Sequence, residues 1–138
     1  MSAISFRPGT TRSRAAVSAQ VFAVYLFATG VVAVIAPDLL LSVLRMPPAT
    51  DVWFRVVGVT AFMIGVFAWV AGRHELRPFF VASVYTRGTV FAVFTAFAVL
   101  GLAPPMLVLF GTIDLLGGLW THRALKADAR CASGRGEL

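Results

Sequence analysis

Apolar residues run almost unbroken through four stretches of the chain, at about 15–36, 52–72, 79–100 and 103–122, and polar residues gather between and beyond them. Each stretch approaches or exceeds the ~20 residues that a helix needs to cross the hydrocarbon of a bilayer. The pattern therefore predicts four transmembrane helices. Between the second and third stretches, RHELRP at 73–78 carries charges and Pro78, the marks of a short turn. GLAPP at 101–105 reads as a tight hairpin without charge. Links this short force neighbouring helices to run antiparallel. The expected fold is all-α: an up-down-up-down bundle of four transmembrane helices over 15–126, with a basic tail at 1–14 and a disordered polar tail at 127–138.

Between the first two stretches, PDLLLSVLRMPP at 37–48 sets Asp38, Ser42 and Arg45 on one polar stripe among leucines and a valine. This predicts a short helix lying in the interface, bounded by prolines; a capped loop is the alternative. The first stretch, with its basic lead-in, has the outline of a secretory signal. Its apolar run exceeds the usual 7–15 residues, however, and Pro37 follows directly, so a retained helix is expected.

Composition strengthens the membrane reading. Of 138 residues, 59% are hydrophobic and 13% charged, and the mean hydropathy is +0.86. Soluble domains carry about 25% charged residues, so this chain lacks the polar residues to clothe a soluble surface. The net charge of +6 does not imply nucleic acid, because the basic residues sit in tails and loops rather than along one helix face. Instead they orient the bundle. Arg7, Arg12, Arg14, Arg73, Arg77, Arg123, Lys126, Arg130 and Arg135 fall on one side and only Arg45 on the other, which predicts both termini in the cytoplasm and a plasma-membrane location. With Cys131 as the single cysteine, no disulfide forms within the chain.

Three charges fall inside the apolar stretches. Arg55 lies near the outer end of the second, where it can snorkel to the headgroups. Arg87, in VYTRGTVF, and Asp114, in GTIDLLGG, each lie eight residues from the basic end of their stretch, about 12 Å deep at 1.5 Å per residue. An isolated charge at that depth costs several kcal/mol, so the two are expected to pair across adjacent helices. Tyr85, Thr86 and Thr112 are the expected supports, and Gln20 and Tyr25 belong to the same half of the bundle. Such a pair reads either as a clamp on helix register or as the polar floor of a pocket. Phe80, Phe91 and Phe94 share roughly the Arg87 face at 100° per residue and, with Tyr25 and Tyr85, form the expected pocket wall. No resident cofactor is expected; the ligand candidate for an aromatic site around a guanidinium is a quinone-like or lipid-like molecule.

Small residues carry the packing logic. Gly58, Ala61, Gly65, Ala68 and Gly72 keep one face of the second stretch free of bulk. The third offers Gly88, Ala92 and Ala96, and the fourth Gly111 and Gly118 with Asp114 on the same side. Close helix approach follows, within the chain or in a homo-oligomer or a complex with another membrane protein. No serine-nucleophile motif, phosphate-binding glycine loop or HExxH occurs, so a structural or accessory role is expected before an enzymatic one. A small proton-coupled exporter needs an embedded acid in the first stretch, and that stretch has none.

FRVVG at 54–58, YTRGTVF at 85–91, and PP followed by GTIDLLGGLW across 104–120 resemble small four-helix bacterial inner-membrane proteins of the DoxX-like group. The resemblance covers roughly 20–125. It implies the same four-helix fold and a role as a subunit of a quinone-linked or redox-associated membrane complex, with no catalytic residue carried over.

Overall fold

The computed structural model describes residues 12–133. Five helices follow in chain order: α1 Arg14–Ile35, α2 Pro37–Val43, α3 Trp53–Arg73, α4 Arg77–Val99 and α5 Leu107–Ser133. Of these, α1, α3 and α4 are long and apolar enough to cross a membrane. No strand occurs among the described residues.

Antiparallel packing is closest between α1 and α3. Small residues explain it. At seven-residue steps, Gly58, Gly65 and Gly72 of α3 face the backbone oxygens of Gly30, Ala23 and Ala16 of α1. A Cβ built at these three glycines would meet those oxygens at 3.0, 3.2 and 3.1 Å, so the helices touch backbone to backbone. The glycine face expected on the second stretch thus has its partner on the first. A second close pair joins α4 to α5, with Gly111 against the Phe91 Cα and Gly118 against the Cβ of Arg87. Between the pairs, α1 also packs on α5, whereas α4 touches α1 and α3 only sparsely. Near the α3–α4 turn, Ala15, Ala16, Ala19, Ala71, Phe80 and Ala124 form the most deeply buried cluster.

Two boundaries differ from expectation. The link after α4 extends past GLAPP to Met106, where the chain turns through contacts three residues apart: the N–H groups of Leu107, Val108 and Leu109 donate to the carbonyls of Pro104, Pro105 and Met106. α5 therefore begins at Leu107, and its apolar part, 107–122, is shorter than the stretch assigned to a fourth span. At its other end α5 continues to Ser133, through seven residues expected to be disordered. Asp128 supplies the reason: its carboxylate accepts the backbone N–H groups of Arg14 at 3.3 Å and Ala15 at 3.1 Å. Residues 1–11 and 134–138, which hold most of the basic tail and the end of the polar tail, lie outside the described residues.

The start of α1 is held from three directions. Ser13 Oγ caps it by accepting the N–H of Ala16. Glu75, in the tight α3–α4 turn, accepts the Ser13 N–H at 2.9 Å and also its hydroxyl. The turn holds Glu75 at a φ of 53°, a left-handed conformation that glycine usually fills. Asp128 completes the set, and both acids also complement the positive end of the helix dipole.

At the opposite end, α2 keeps Asp38 and Ser42 exposed while Leu41 and, just past the helix, Leu44 are buried. The helix stops at Val43, five residues short of the stretch read as interfacial, and Asp38 accepts the N–H of Ala49 to fold the following loop back. Arg55 donates from Nη1 to the carbonyl oxygen of Val34 at 2.7 Å, tying the start of α3 to one of the unpaired carbonyls at the end of α1.

Candidate functional site

The sparse seam between α4 and the α1–α3 pair holds a cavity of about 380 Å³. Phe22 and Leu26 of α1, Ile64 of α3, and Phe79, Ser83 and Thr86 of α4 line it, together with Arg87 and Asp114. Four helices contribute walls, which is the arrangement in which bundle cores hold ligands.

Arg87 is only 3% exposed. Its guanidinium carbon stands 3.6 Å from the centroid of the Phe22 ring, a cation–π stack. Nη1 reaches Thr121 Oγ1 at 3.5 Å, the far limit of hydrogen bonding. Nε and Nη2 are buried without a hydrogen-bond partner among the described residues. Gly117 makes room for the guanidinium: a Cβ there would sit 2.9 Å from Nη1.

The direct Arg87–Asp114 pair expected from matched depth does not form. Oδ1 of Asp114 is buried and without a hydrogen-bond partner. Both charges border one cavity, and each retains hydrogen-bonding capacity that no group among the described residues meets. The register explains this. Opposite Arg87 on α5 stand Gly117 and Gly118, whereas Asp114 lies one turn farther along.

The aromatic wall also differs. Phe80, 2% exposed, fills the alanine cluster near the α3–α4 turn. Phe91 and Phe94 pack on Gly111 in the α4–α5 seam. Tyr85 points outward and is 74% exposed. Tyr25 is half-buried beside Phe22, with ring centroids 5.9 Å apart, and does not line the cavity. Of the residues on the Arg87 face, Phe91 and Phe94 turn into the α4–α5 seam and Phe80 into the alanine cluster, so only Arg87 itself borders the cavity. The cavity opens on the next face of α4, where Phe79, Ser83, Thr86 and Val90 recur at steps of three and four residues.

Supporting hydroxyls divide similarly. Thr86 lines the cavity but donates to the Ser83 carbonyl, and Thr112 donates to the Val108 carbonyl. Gln20 accepts from Arg12 Nη1 at 2.8 Å, away from Arg87. The group that reaches Arg87 is Thr121, fully buried, with Ser18 Oγ 3.1 Å from its hydroxyl. A hydroxyl pair at 18 and 121, one near the basic end of each stretch, was the available signal for it. Of the small residues on α4, Gly88 has nothing within 4 Å of a built Cβ, and Ala92 and Ala96 are exposed.

The length and apolarity of α1, α3 and α4 point to an all-α membrane protein. No protein-family model, curated protein or solved structure matches the chain, so the DoxX-like resemblance rests on its short motifs alone.

Proposed function

We propose that this chain is a four-span protein of the bacterial inner membrane that binds a lipophilic molecule with a hydrogen-bonding head, quinone-like or lipid-like, in the cavity bordered by Arg87 and Asp114. The observation that carries the reading is the unmet capacity of Nε and Nη2 of Arg87 and Oδ1 of Asp114 beside an apolar void of about 380 Å³. Buried charges without partners are costly, and a ligand carbonyl or other oxygen that accepts from the guanidinium offsets that cost. A head that also carries a hydroxyl, as a reduced quinone or a hydroxylated lipid does, donates to the carboxylate. Phe22, Leu26, Ile64 and Val90 supply an apolar surround for the rest of the molecule.

The fourth span is supported by the antiparallel packing of α5 along α4, since a helix lying along a spanning helix shares its depth. Residues 107–122 would cross about 24 Å at 1.5 Å per residue, short of the ~30 Å hydrocarbon core, and the basic residues that follow can snorkel. Arg14, Arg73, Arg77, Arg123, Lys126 and Arg130 gather at one end, and the positive-inside rule supports a cytoplasmic side for that end. Cysteine accessibility at Cys131, measured from each side of inverted and right-side-out vesicles, tests the orientation.

Native mass spectrometry of protein extracted from its own membranes tests the ligand. A stoichiometric small molecule is expected, lost in Arg87→Ala and weakened in Asp114→Asn. An empty protein from every mild extraction refutes the reading. A second reading, an accessory subunit or homodimer, draws on the outward Gly88, Ala92 and Ala96 of α4, where another helix can approach closely. Crosslinking through a cysteine introduced at Ala92 distinguishes it: a dimer or heteromeric product supports it, and exclusively monomeric protein counts against it.

A further inference from the structure

A separate groove of about 470 Å³ lies between α1 and α5 at the end of the bundle that carries the α3–α4 turn. Arg12, Arg14 and Arg123 line it together with Val17, Trp120 and two alanines. The lining is graded. Val17 stands one turn into α1 from Arg14, and Trp120 one turn into α5 from Arg123, so each helix offers a cation at the rim and an apolar group three residues deeper. Trp120 is half exposed. Gln20 accepts from Nη1 of Arg12, which steadies that side chain beside the groove.

The nearby acids do not line this groove. Glu75 is committed to the N–H and hydroxyl of Ser13, and Asp128 to the N–H groups of Arg14 and Ala15. Both line a different hollow, on the Phe80 side of α1. The acids therefore fasten the start of the helix that presents Arg12 and Arg14, and Arg12, Arg14 and Arg123 are exposed along the groove.

From these features we propose that the groove is a binding site for a glycerophospholipid with an anionic headgroup, drawn from the surrounding bilayer. Guanidinium groups match phosphate oxygens in pairs. Basic pockets at the ends of membrane helices take phosphate-bearing headgroups, and a tryptophan at the same level suits the glycerol region. Val17 and the alanines continue the surface toward the acyl chains. The site is distinct from the Arg87 cavity and stands whether or not that cavity binds a ligand.

Native mass spectrometry of the full chain in nanodiscs of mixed phosphatidylglycerol and phosphatidylcholine tests the proposal. Phosphatidylglycerol should stay bound as delipidation proceeds, with retention falling about fivefold for each of Arg14→Gln and Arg123→Gln, on the basis of about 1 kcal/mol per cation near a phosphate surface. Arg123→Lys, which keeps the charge but not the paired contact, should fall between the wild type and Arg123→Gln, and Arg45→Gln, at the opposite end, should keep all of the retention. Circular dichroism of each variant confirms that the helices persist, and Trp120→Ala gives an independent loss without a change of charge. Equal retention of phosphatidylcholine overturns the proposal, as does an equal loss in Arg45→Gln. Binding of inorganic phosphate as tight as that of the lipid also overturns it, since the site would then read the phosphate alone.

Discussion

The guanidinium carbon of Arg87 stands 3.6 Å above the centre of the Phe22 ring, and this contact joins α4 to α1 where the two helices otherwise barely meet. In a desolvated setting such a stack is worth about 2 kcal/mol. Phe22→Leu should therefore destabilise the protein by more than its lost volume accounts for. In an Arg87→Met background the excess should disappear. A double-mutant cycle read by thermal unfolding in detergent checks this; additive losses would show that the stack contributes nothing beyond packing.

Two glycines predict opposite outcomes for the same substitution. At Gly30 a new Cβ meets the Gly58 carbonyl oxygen at 2.8 Å and the Phe62 Cβ at 2.9 Å, and backbone has little freedom to retreat. Gly30→Ala should cost about 1–3 kcal/mol through overpacking. At Gly88 nothing lies within 4 Å, so Gly88→Ala should be neutral or gain up to about 1 kcal/mol from helix propensity. Unfolding midpoints of the two variants, measured side by side, decide the matter.

The contrast between these glycines marks what could be read from the sequence. Hydropathy runs locate α1, α3 and α4 to within two residues, because lipid-facing helices need continuous apolar length. The spacing of Gly58, Gly65 and Gly72 identifies a packing face, yet equally regular spacing at Gly88, Ala92 and Ala96 marks an exposed one. Periodicity on a single helix defines a face and does not name its neighbour. The same limit moved the aromatic wall: angular counting groups Phe80 and Phe91 with Arg87, but Phe91 packs on α5, Phe80 fills the alanine cluster, and of the three only Arg87 borders the cavity. Depth counting found Arg87 and Asp114 and brought them to one cavity, while the offset that keeps them apart depends on how α5 slides along α4. Residues 127–133 were illegible for a related reason. Their helix is secured by the carboxylate of Asp128 at the start of α1, a contact 113 residues distant that leaves no local pattern.

Asp128→Ala removes two acceptors from the first turn of α1. A loss of about 1 kcal/mol is expected, comparable to that of a helix N-cap. Hydrogen exchange at the amides of Arg14 and Ala15 should quicken, while amides in the middle of α1 stay protected. Glu75→Ala should expose the Ser13 amide in the same way. Unchanged exchange at all three amides would mean that the two acids do not hold α1.

Thr121 gives the sharpest test of how the buried arginine is accommodated. It is fully buried, its hydroxyl donates to the Gly117 carbonyl at 3.0 Å, and it stands between Ser18 Oγ at 3.1 Å and Nη1 of Arg87 at 3.5 Å. Valine matches threonine in shape but offers no oxygen, so among the described residues Thr121→Val leaves Nη1 without its acceptor and joins it to Nε and Nη2, which have none there. Stranding a buried charged donor costs about 1–3 kcal/mol or more. Thr121→Ser keeps the oxygen and should recover most of the loss, apart from the methyl group's share. In an Arg87→Met background the valine substitution should become nearly neutral, because no guanidinium remains to strand. If Thr121→Val cost the same with and without Arg87, the hydroxyl would serve only the helix backbone and Ser18, and the arginine would rest on Phe22 alone.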